Sequence, residues 1–235
     1  MCGRYTHLLT WGELIEFSRL GEDPPPPEPT EFKKRYNQAP TEFAPVVQLK
    51  DGRRELVMLR WGWGKMKNGN EWINARSEGA ATSGAYGQSL RLRRCLIPAS
   101  GFYEWRRLES GRKAPYWIGM KDKAPFALAG LWKELVDSKT GELQDRYVVL
   151  TCPPNELAAE LHNRMPVIID PAEYDRWLSA ESPPVDLLHP YPAEKMTTYE
   201  IGQLINKRGY DAPDIIDPAP PVASPPKPRQ NDLFS

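Results

Sequence analysis

Residues 126–152 read FALAGLWKELVDSKTGELQDRYVVLTC, and this stretch holds two apolar runs separated by a polar connection. The runs FALAGLW and RYVVLTC are rich in aromatic and β-branched residues, which favour extended strands. Three similar runs occur from about residue 44 onward: PVVQL, ELVMLRW and PYWIGM. Asp51-Gly52, between the first two, is typical of a tight turn. Residues 44–152 are therefore predicted to form a mostly antiparallel sheet or barrel.

Short helices are predicted on both sides of this β region. Residues 10–13, TWGE, have the capping-box pattern of a helix start. Residues 155–161 carry a short helical pattern, and residues 170–173, DPAE, begin another helix. The predicted fold class is therefore α+β, with helices around a β core.

The length and charge of the chain indicate one folded domain with local rather than global charge. Its 235 residues are enough for a single α+β or barrel-like fold. Lys and Arg number 31, as do Asp and Glu, so any nucleic-acid site must be a local patch. Proline becomes dense after Ala212, and we expect a catalytic domain over 2–217 and a flexible tail over 218–235.

The cysteines suggest neither disulfides nor a metal. Cys2, Cys95 and Cys152 are odd in number, have no C-x-x-C spacing and accompany only three histidines. No metal or other cofactor is expected. The amino terminus lacks a secretory pattern, and no run of roughly 18 apolar residues occurs. We therefore expect a cytoplasmic protein with no membrane partner.

Cys2 is the most informative single residue. A small second residue permits removal of Met1, which would leave a thiol and an α-amine on the same residue. The amine, with an ordinary pKa of about 7.7 to 8.0, can condense with an aldehyde, and the thiol can then close on the imine carbon. A ring-opened abasic sugar in DNA supplies such an aldehyde. An inert second residue is the alternative if Cys2 is taken alone.

Further segments join polar groups to strand-like or apolar flanks. They are Trp72–Glu78 (WINARSE), Arg94–Trp105 (RCLIPASGFYEW), Leu161–Ile168 (LHNRMPVI) and Arg35–Pro40 (RYNQAP). With MCGRY at the start and the Trp61-Gly62 pair, they closely resemble the SRAP family, the SOS-response-associated peptidase-like proteins that process abasic sites. The resemblance spans roughly residues 2–217. It implies covalent capture of abasic sites in single-stranded DNA, in a branched β-sheet and barrel surrounded by helices.

The resemblance also implies catalytic roles for four residues. Cys2 would form the bond, and Asn74 would orient the Cys2 terminus or the opened sugar. Glu104 would act as general acid/base, with a pKa raised by its aromatic neighbours. His162, at the predicted end of a short helix, would shuttle protons in a position that favours its protonated form.

A second set of residues is expected to contact DNA. Arginines in the family motifs would hold phosphates in their planar fork, and tryptophans would offer faces to unstacked bases. Asn37, within the RYNQAP stretch, is assigned to the same surface. The full set is Arg4, Arg76, Arg164, Trp61, Trp105 and Asn37.

The last residues suggest a protein partner. Gln230, Leu233 and Phe234 resemble the anchors of the pentapeptide that binds the bacterial replication sliding clamp, and a proline-rich tether precedes them. The alternative is a plain disordered tail. Clamp and DNA together would make the protein nucleoid-associated.

Two other functions fit the same residues. An amino-terminal cysteine can cleave amides, as in N-terminal-nucleophile hydrolases, so a thiol-dependent peptidase that removes its own Met1 is one alternative. A module that binds damaged or single-stranded DNA without forming a bond is the other, and its binding would survive Cys2→Ala.

Overall fold

The computed structural model describes residues 2–21, 25–66, 69–137, 140–179 and 181–220. The strands are β1 (Tyr5–His7), β2 (Arg35–Gln38), β3 (Phe43–Lys50), β4 (Arg53–Trp61), β5 (Asn74–Arg76), β6 (Arg94–Ala99), β7 (Gly101–Arg107), β8 (Lys113–Met120), β9 (Phe126–Val136), β10 (Leu143–Cys152), β11 (Met165–Pro166), β12 (Ile168–Ile169) and β13 (Met196–Glu200). The α-helices are α1 (Trp11–Ser18), α2 (Ser77–Ala80), α3 (Gly87–Leu92), α4 (Glu156–Ala159) and α5 (Tyr174–Ser179). Single 3-10 turns cover Pro171–Glu173, Val185–Leu187, Ala193–Lys195, Gln203–Asn206 and Pro213–Ile216.

The larger sheet closes into a barrel. Its strands pair in the order β4, β3, β6, β9 and β10, and β10 returns to β4. All of these pairs are antiparallel except β4 with β10. The short strand β5 also pairs with β10, in parallel, so the sheet branches there. Residues 126–152 therefore form the β9–β10 hairpin, which closes the barrel.

The second sheet has five strands in the order β13, β8, β7, β1 and β2. A separate apolar cluster on this sheet is formed by Tyr103, Trp117, Ile201, Ile205 and Ile215. The segment after β13 thus packs on the sheet that carries β1 and β7. Among the described residues, no helix has the length and apolarity that crossing a membrane requires.

The structure confirms the α+β class and most local predictions. Thr10 and Glu13 form both hydrogen bonds of a capping box at the start of α1. Asp51 and Gly52 have positive φ angles of 49° and 76°, as a tight hairpin turn with two left-handed residues requires. The helix over 155–161 is shorter than predicted, since α4 spans only Glu156–Ala159. The division at residue 217 remains a prediction, because residues 221–235 lie outside the described ranges.

Candidate functional site

Cys2 lies where the two sheets meet. It leads into β1 of the five-stranded sheet, its side chain is fully buried, and its Sγ is 3.7 Å from the Arg4 carbonyl oxygen. Asn74 reaches it from β5 of the barrel and donates a hydrogen bond from Nδ2 to the Cys2 carbonyl oxygen at 2.8 Å. The buried Oδ1 of Asn74 has no hydrogen-bond partner among the described residues. Asn74 therefore holds the amino-terminal backbone and keeps one acceptor for a further donor.

Glu104 supplies a buried carboxyl group near Cys2. It lies on β7, opposite Tyr116 of β8, and only 3% of the residue is exposed. Burial raises the pKa of Glu104 from 4.5 to about 7, in the direction that its aromatic neighbours predicted. The charge of the amino terminus opposes this shift, and Lys113 opposes it to a smaller extent. Burial also raises the pKa of the Cys2 thiol, and the Glu104 charge adds to that shift. The thiol is therefore neutral at pH 7, and Glu104 is poised to exchange protons.

His162 follows α4 and faces the same region. The backbone N–H of Arg164 donates to its Nδ1 at 3.1 Å, which leaves the proton of a neutral ring on Nε2. Burial lowers the pKa of His162, as do the charge of the amino terminus and Lys113. The expectation that a helix end favours the protonated ring is thus wrong, because burial and nearby positive charges oppose protonation.

A pocket of about 350 Å³ opens beside these groups. It is lined by Glu104, Trp105, Lys113, His162 and Asn206. The indole Nε1 of Trp105 donates to Asn206 Oδ1 at 3.1 Å, which fixes the orientation of the ring. The pocket therefore brings together a titratable carboxyl group, an imidazole and a half-exposed aromatic side chain.

A second pocket, of about 400 Å³, lies along β5. Asn74, Arg76, Trp72 and Tyr86 are among its lining residues. Trp72 is 41% exposed and packs edge-on against Tyr86, and Arg76 is also exposed. Asn74 touches Cys2 and lines this pocket, so the amino terminus connects to a surface with an open aromatic face and an open guanidinium.

The other predicted DNA contacts lie in more enclosed positions. Arg4 is half-buried and donates from Nη1 to Asn37 Oδ1 at 2.7 Å. Asn37 is 6% exposed and also donates from Nδ2 to the Tyr210 carbonyl oxygen at 2.8 Å. The structure therefore places Asn37 as a support for Arg4.

Arg164 is held by protein groups on several sides. Its guanidinium donates to both carboxylate oxygens of Glu78, with Nη2 to Oε2 at 2.9 Å. It also donates to the carbonyl oxygen and hydroxyl of Thr151, the latter at 3.2 Å. This pairing lowers the pKa of Glu78 from 4.5 to about 2.

The structure contradicts the expectation that Trp61 offers a face to a base. Trp61 is fully buried, and its Nε1 donates to the Ile73 carbonyl oxygen at 2.9 Å. Its ring stacks on Tyr147 and meets Tyr5 edge-on. Trp61 is therefore a core residue that packs beneath the amino-terminal strand. Among the described residues, no group of three or more His, Cys, Asp or Glu side chains is arranged to hold a metal.

Sequence reasoning missed three residues at these pockets. Trp72 had a usable signal, since strand alternation places residues 72, 74 and 76 on one side. Lys113 lies opposite Arg107 in the β7–β8 hairpin, which becomes visible only once the register is known. Asn206 comes from a distant segment and had no local signal.

These features define an α+β protein whose buried second-residue thiol lies near a buried carboxyl group, and that carboxyl group shares a pocket with an imidazole. The family model described as "SOS response associated peptidase (SRAP)" matches residues 1–208. The chain belongs to the SRAP family, as its motifs predicted.

Individual proteins agree with this assignment. The chain is 33% identical over 226 residues to the abasic site processing protein YoqW of Bacillus subtilis (strain 168), which covers 92% of this chain and 99% of the relative. It is 27% identical over 191 residues to the abasic site processing protein YedK of Escherichia coli (strain K12), and the match covers 77% of this chain and 81% of the relative. A crystal structure of a Bacteroides thetaiotaomicron protein matches the fold with a TM-score of 0.78 and 24% identity, and the match covers 93% of this chain and 100% of that protein chain.

Proposed function

We propose that this protein processes abasic sites in single-stranded DNA and that it does so by bonding covalently to the lesion through Cys2. The observation that carries the proposal is the enclosure of the Cys2 thiol together with Asn74 and the raised-pKa carboxyl group of Glu104. YoqW and YedK are abasic site processing proteins that match 92% and 77% of the chain, which supports the same substrate.

The chemistry requires that Met1 has been removed. The α-amine of Cys2 attacks the aldehyde carbon of the opened sugar, and the resulting carbinolamine loses water to give an imine. The Cys2 sulfur then adds to the imine carbon, and the thiol proton ends on the nitrogen. The product is a thiazolidine, and one water molecule is released overall. Because both nucleophiles belong to one residue, the second step is intramolecular and gains a high effective concentration.

The site residues can move the protons that these steps need. With a pKa of about 7, Glu104 can protonate the departing hydroxyl and then accept the thiol proton. The thiol is neutral at pH 7, so the amine reacts first. His162, with its proton on Nε2, can relay a proton across the pocket.

We assign the DNA contacts in accordance with exposure. Arg76 and Trp105 are accessible and would bind a phosphate and a base, respectively. Arg4, supported by Asn37, would contact a flanking phosphate. Arg164 would reach DNA only at the rim it shares with Glu78, because its guanidinium already has protein partners.

The decisive experiment mixes the protein with a single-stranded oligonucleotide that carries one abasic site. The amino terminus is first checked by mass spectrometry, and products are separated on a denaturing gel. A shifted band that Cys2→Ala abolishes and Cys95→Ala retains supports the proposal, since Cys95 is an equally buried thiol elsewhere in the core. A full yield from Cys2→Ala would reject it. Reversible binding without any band would favour a DNA-binding module.

Peptide-bond cleavage at the same thiol is a second candidate function. The description of the matching family, which names a peptidase, is the observation that favours it. Removal of Met1 would be its simplest form. If Cys2→Ala and Glu104→Gln keep Met1 in a host that lacks methionine aminopeptidase activity, whereas the parent chain loses it, the activity is its own.

We also propose that the terminal peptide docks on the replication sliding clamp. Its anchors Gln230, Leu233 and Phe234 lie outside the described residues, so the support is the sequence pattern alone. Binding of the full chain to purified clamp should be lost on Leu233→Ala with Phe234→Ala and kept on Asp232→Ala. Such docking would place the protein at the nucleoid.

A further inference from the structure

A group of cations borders the Glu104 pocket, and of these only Lys113 bears on the chemistry described above, through the pKa values of Glu104 and His162. It comprises Arg106, Arg107, Arg112, Lys113, Lys207 and Arg208, and we call it the basic hairpin surface. Four of these residues lie on the β7–β8 hairpin and two follow the 3-10 turn Gln203–Asn206. The chain has no net charge, so this concentration is a local asymmetry.

The two segments are held together by the fold. Arg107 pairs with Lys113 across the hairpin, and Gln203 Nε2 donates to the Lys113 carbonyl oxygen at 3.4 Å. Lys207 follows Gln203 by four residues in the chain. Its side chain lies over the ring of Tyr210, with Nζ 5.1 Å from the ring centroid. The hairpin and the 203–208 segment therefore form one continuous edge of the pocket.

These cations remain accessible to a partner. All but Arg106 are exposed, and none of the six forms an ion pair with a described residue. Arg106 lies over the ring of Tyr116, 5.1 Å from its centroid. Four acidic residues lie nearby. Glu109 is at the hairpin tip, and Glu200 accepts from the Tyr116 hydroxyl at 3.0 Å. The charge of Glu160 also acts on Tyr116, and Asp214 accepts from the Tyr210 hydroxyl at 2.7 Å.

We propose that the basic hairpin surface binds the phosphates of the nucleic-acid strand that flanks the lesion, and so extends the binding site beyond the catalytic pocket. The inference rests on the proposed function, because a flanking strand reaches this surface only when the lesion is bound in the pocket, which Lys113 lines together with Glu104. From Glu104 to the hairpin tip an extended strand spans at most roughly 17 Å. The phosphates of a stacked strand advance about 3.4 Å each along the strand axis, so at most about five of them fit along this edge.

Binding of unreactive oligonucleotides separates this surface from the chemistry. Three probes carry a tetrahydrofuran abasic analogue, which has no aldehyde. The short probe has two nucleotides on each side of the analogue. Each of the two long probes has eight further nucleotides, one at the 5′ end and the other at the 3′ end. The test variant is Arg107→Ala, Arg112→Ala and Lys207→Ala together. Its matched control is Arg19→Ala, Lys50→Ala and Arg53→Ala, which removes the same charges from exposed residues around the β3–β4 turn and the end of α1.

We expect the parent chain and the control variant to bind one of the long probes more tightly than the short probe. The hairpin variant should lose this gain. Each phosphate contact contributes about 0.7 to the salt slope of single-strand binding, so removing three lowers the slope by about 2. The affinity ratio of parent to variant should then shrink roughly 20-fold between 50 and 200 mM salt.

If the hairpin variant and the control variant gain the same affinity from the longer probe, the inference is wrong. An acidic protein would then be the better candidate partner for this surface. That result is distinct from failure of the proposed function. Covalent yield with a short reactive oligonucleotide at saturation should be the same in all three proteins. If none of them forms the product, the proposed function fails, whatever the length dependence shows.

Discussion

Glutamate has opposite properties in the middle of β7, at Glu104, and in the corner where β5 leads into α2, at Glu78. Glu104 is removed from water, and burial raises its pKa to about 7. Glu78 is half-exposed and is held by the guanidinium of Arg164, which lowers its pKa to about 2. Two carboxyl groups whose pKa values are driven apart have different tasks. Glu104 is suited to exchanging protons, and Glu78 to holding a permanent charge.

The difference also separates chemistry from support. Glu78 fixes Arg164, and the Arg164 backbone N–H in turn fixes the tautomer of His162. Glu104 instead lines the pocket together with His162. If this division is correct, changes at Glu104 act on the reaction and its pH profile, whereas changes at Glu78 act through the position of His162.

The largest expected effect is on the rate of cross-linking after Glu104→Gln. The amide cannot exchange protons, so we expect the single-turnover rate at pH 7 to fall about 10²- to 10³-fold. The pH dependence that titration of Glu104 near pH 7 gives to the parent rate should disappear as well. Quenched time courses on denaturing gels measure both quantities. Glu134→Gln, an exposed glutamate on β9, is the matched control and should react at the parent rate.

The same substitution should change stability in the opposite sense. The folded-state pKa of Glu104 is raised from 4.5 to about 7, so its favourable contribution is present below pH 4.5 and is lost as the pH rises through 7. Glu104→Gln removes this loss, and the free energy of unfolding at pH 8 should rise by up to about 3 kcal/mol. Urea denaturation at pH 5 and pH 8 checks it. A variant less stable than the parent at pH 8 would show that the ionised carboxylate is well solvated.

The features of these two regions that could be predicted from the sequence are those that depend on residues close together in the chain. The raised pKa of Glu104 was predicted because Phe102, Tyr103 and Trp105 are its immediate neighbours. The strands and the capping box were likewise local patterns. The lowered pKa of His162 was not predicted, since it depends on burial and on charges that other segments bring.

Trp61 shows the same limit in the core. A tryptophan in a strand can face a base or the interior, and only the packing of Tyr5 and Tyr147 decides between them. The pairing of Arg164 with Glu78 joins residues 86 positions apart, so no local pattern pointed to it. The motifs thus identified which residues matter, while their contacts required the fold.

A smaller effect on rate is expected from Glu78→Ala. Loss of the carboxylate frees Arg164 from one of its two partners and loosens the backbone that orients His162. We expect cross-linking at saturating DNA to slow about tenfold, with Glu78→Gln nearer to the parent because its amide oxygen still accepts from the guanidinium. A change confined to DNA affinity, with the saturated rate intact, would instead mean that Glu78 limits access of phosphate to Arg164.

The smallest expected effect is the loss of stability in Glu78→Gln, and it completes the contrast with Glu104. The folded-state pKa of Glu78 is lowered from 4.5 to about 2, so its contribution is present above pH 4.5 and is lost as the pH falls through 2. The Glu78 side chain is 51% exposed, and solvent screening reduces the effect to about 1 kcal/mol at pH 7. Urea denaturation should show this deficit at pH 7 and a smaller one at pH 3. A deficit that is the same at both pH values would assign it to lost hydrogen-bond geometry, because a charge effect must fade as the parent carboxylate becomes protonated.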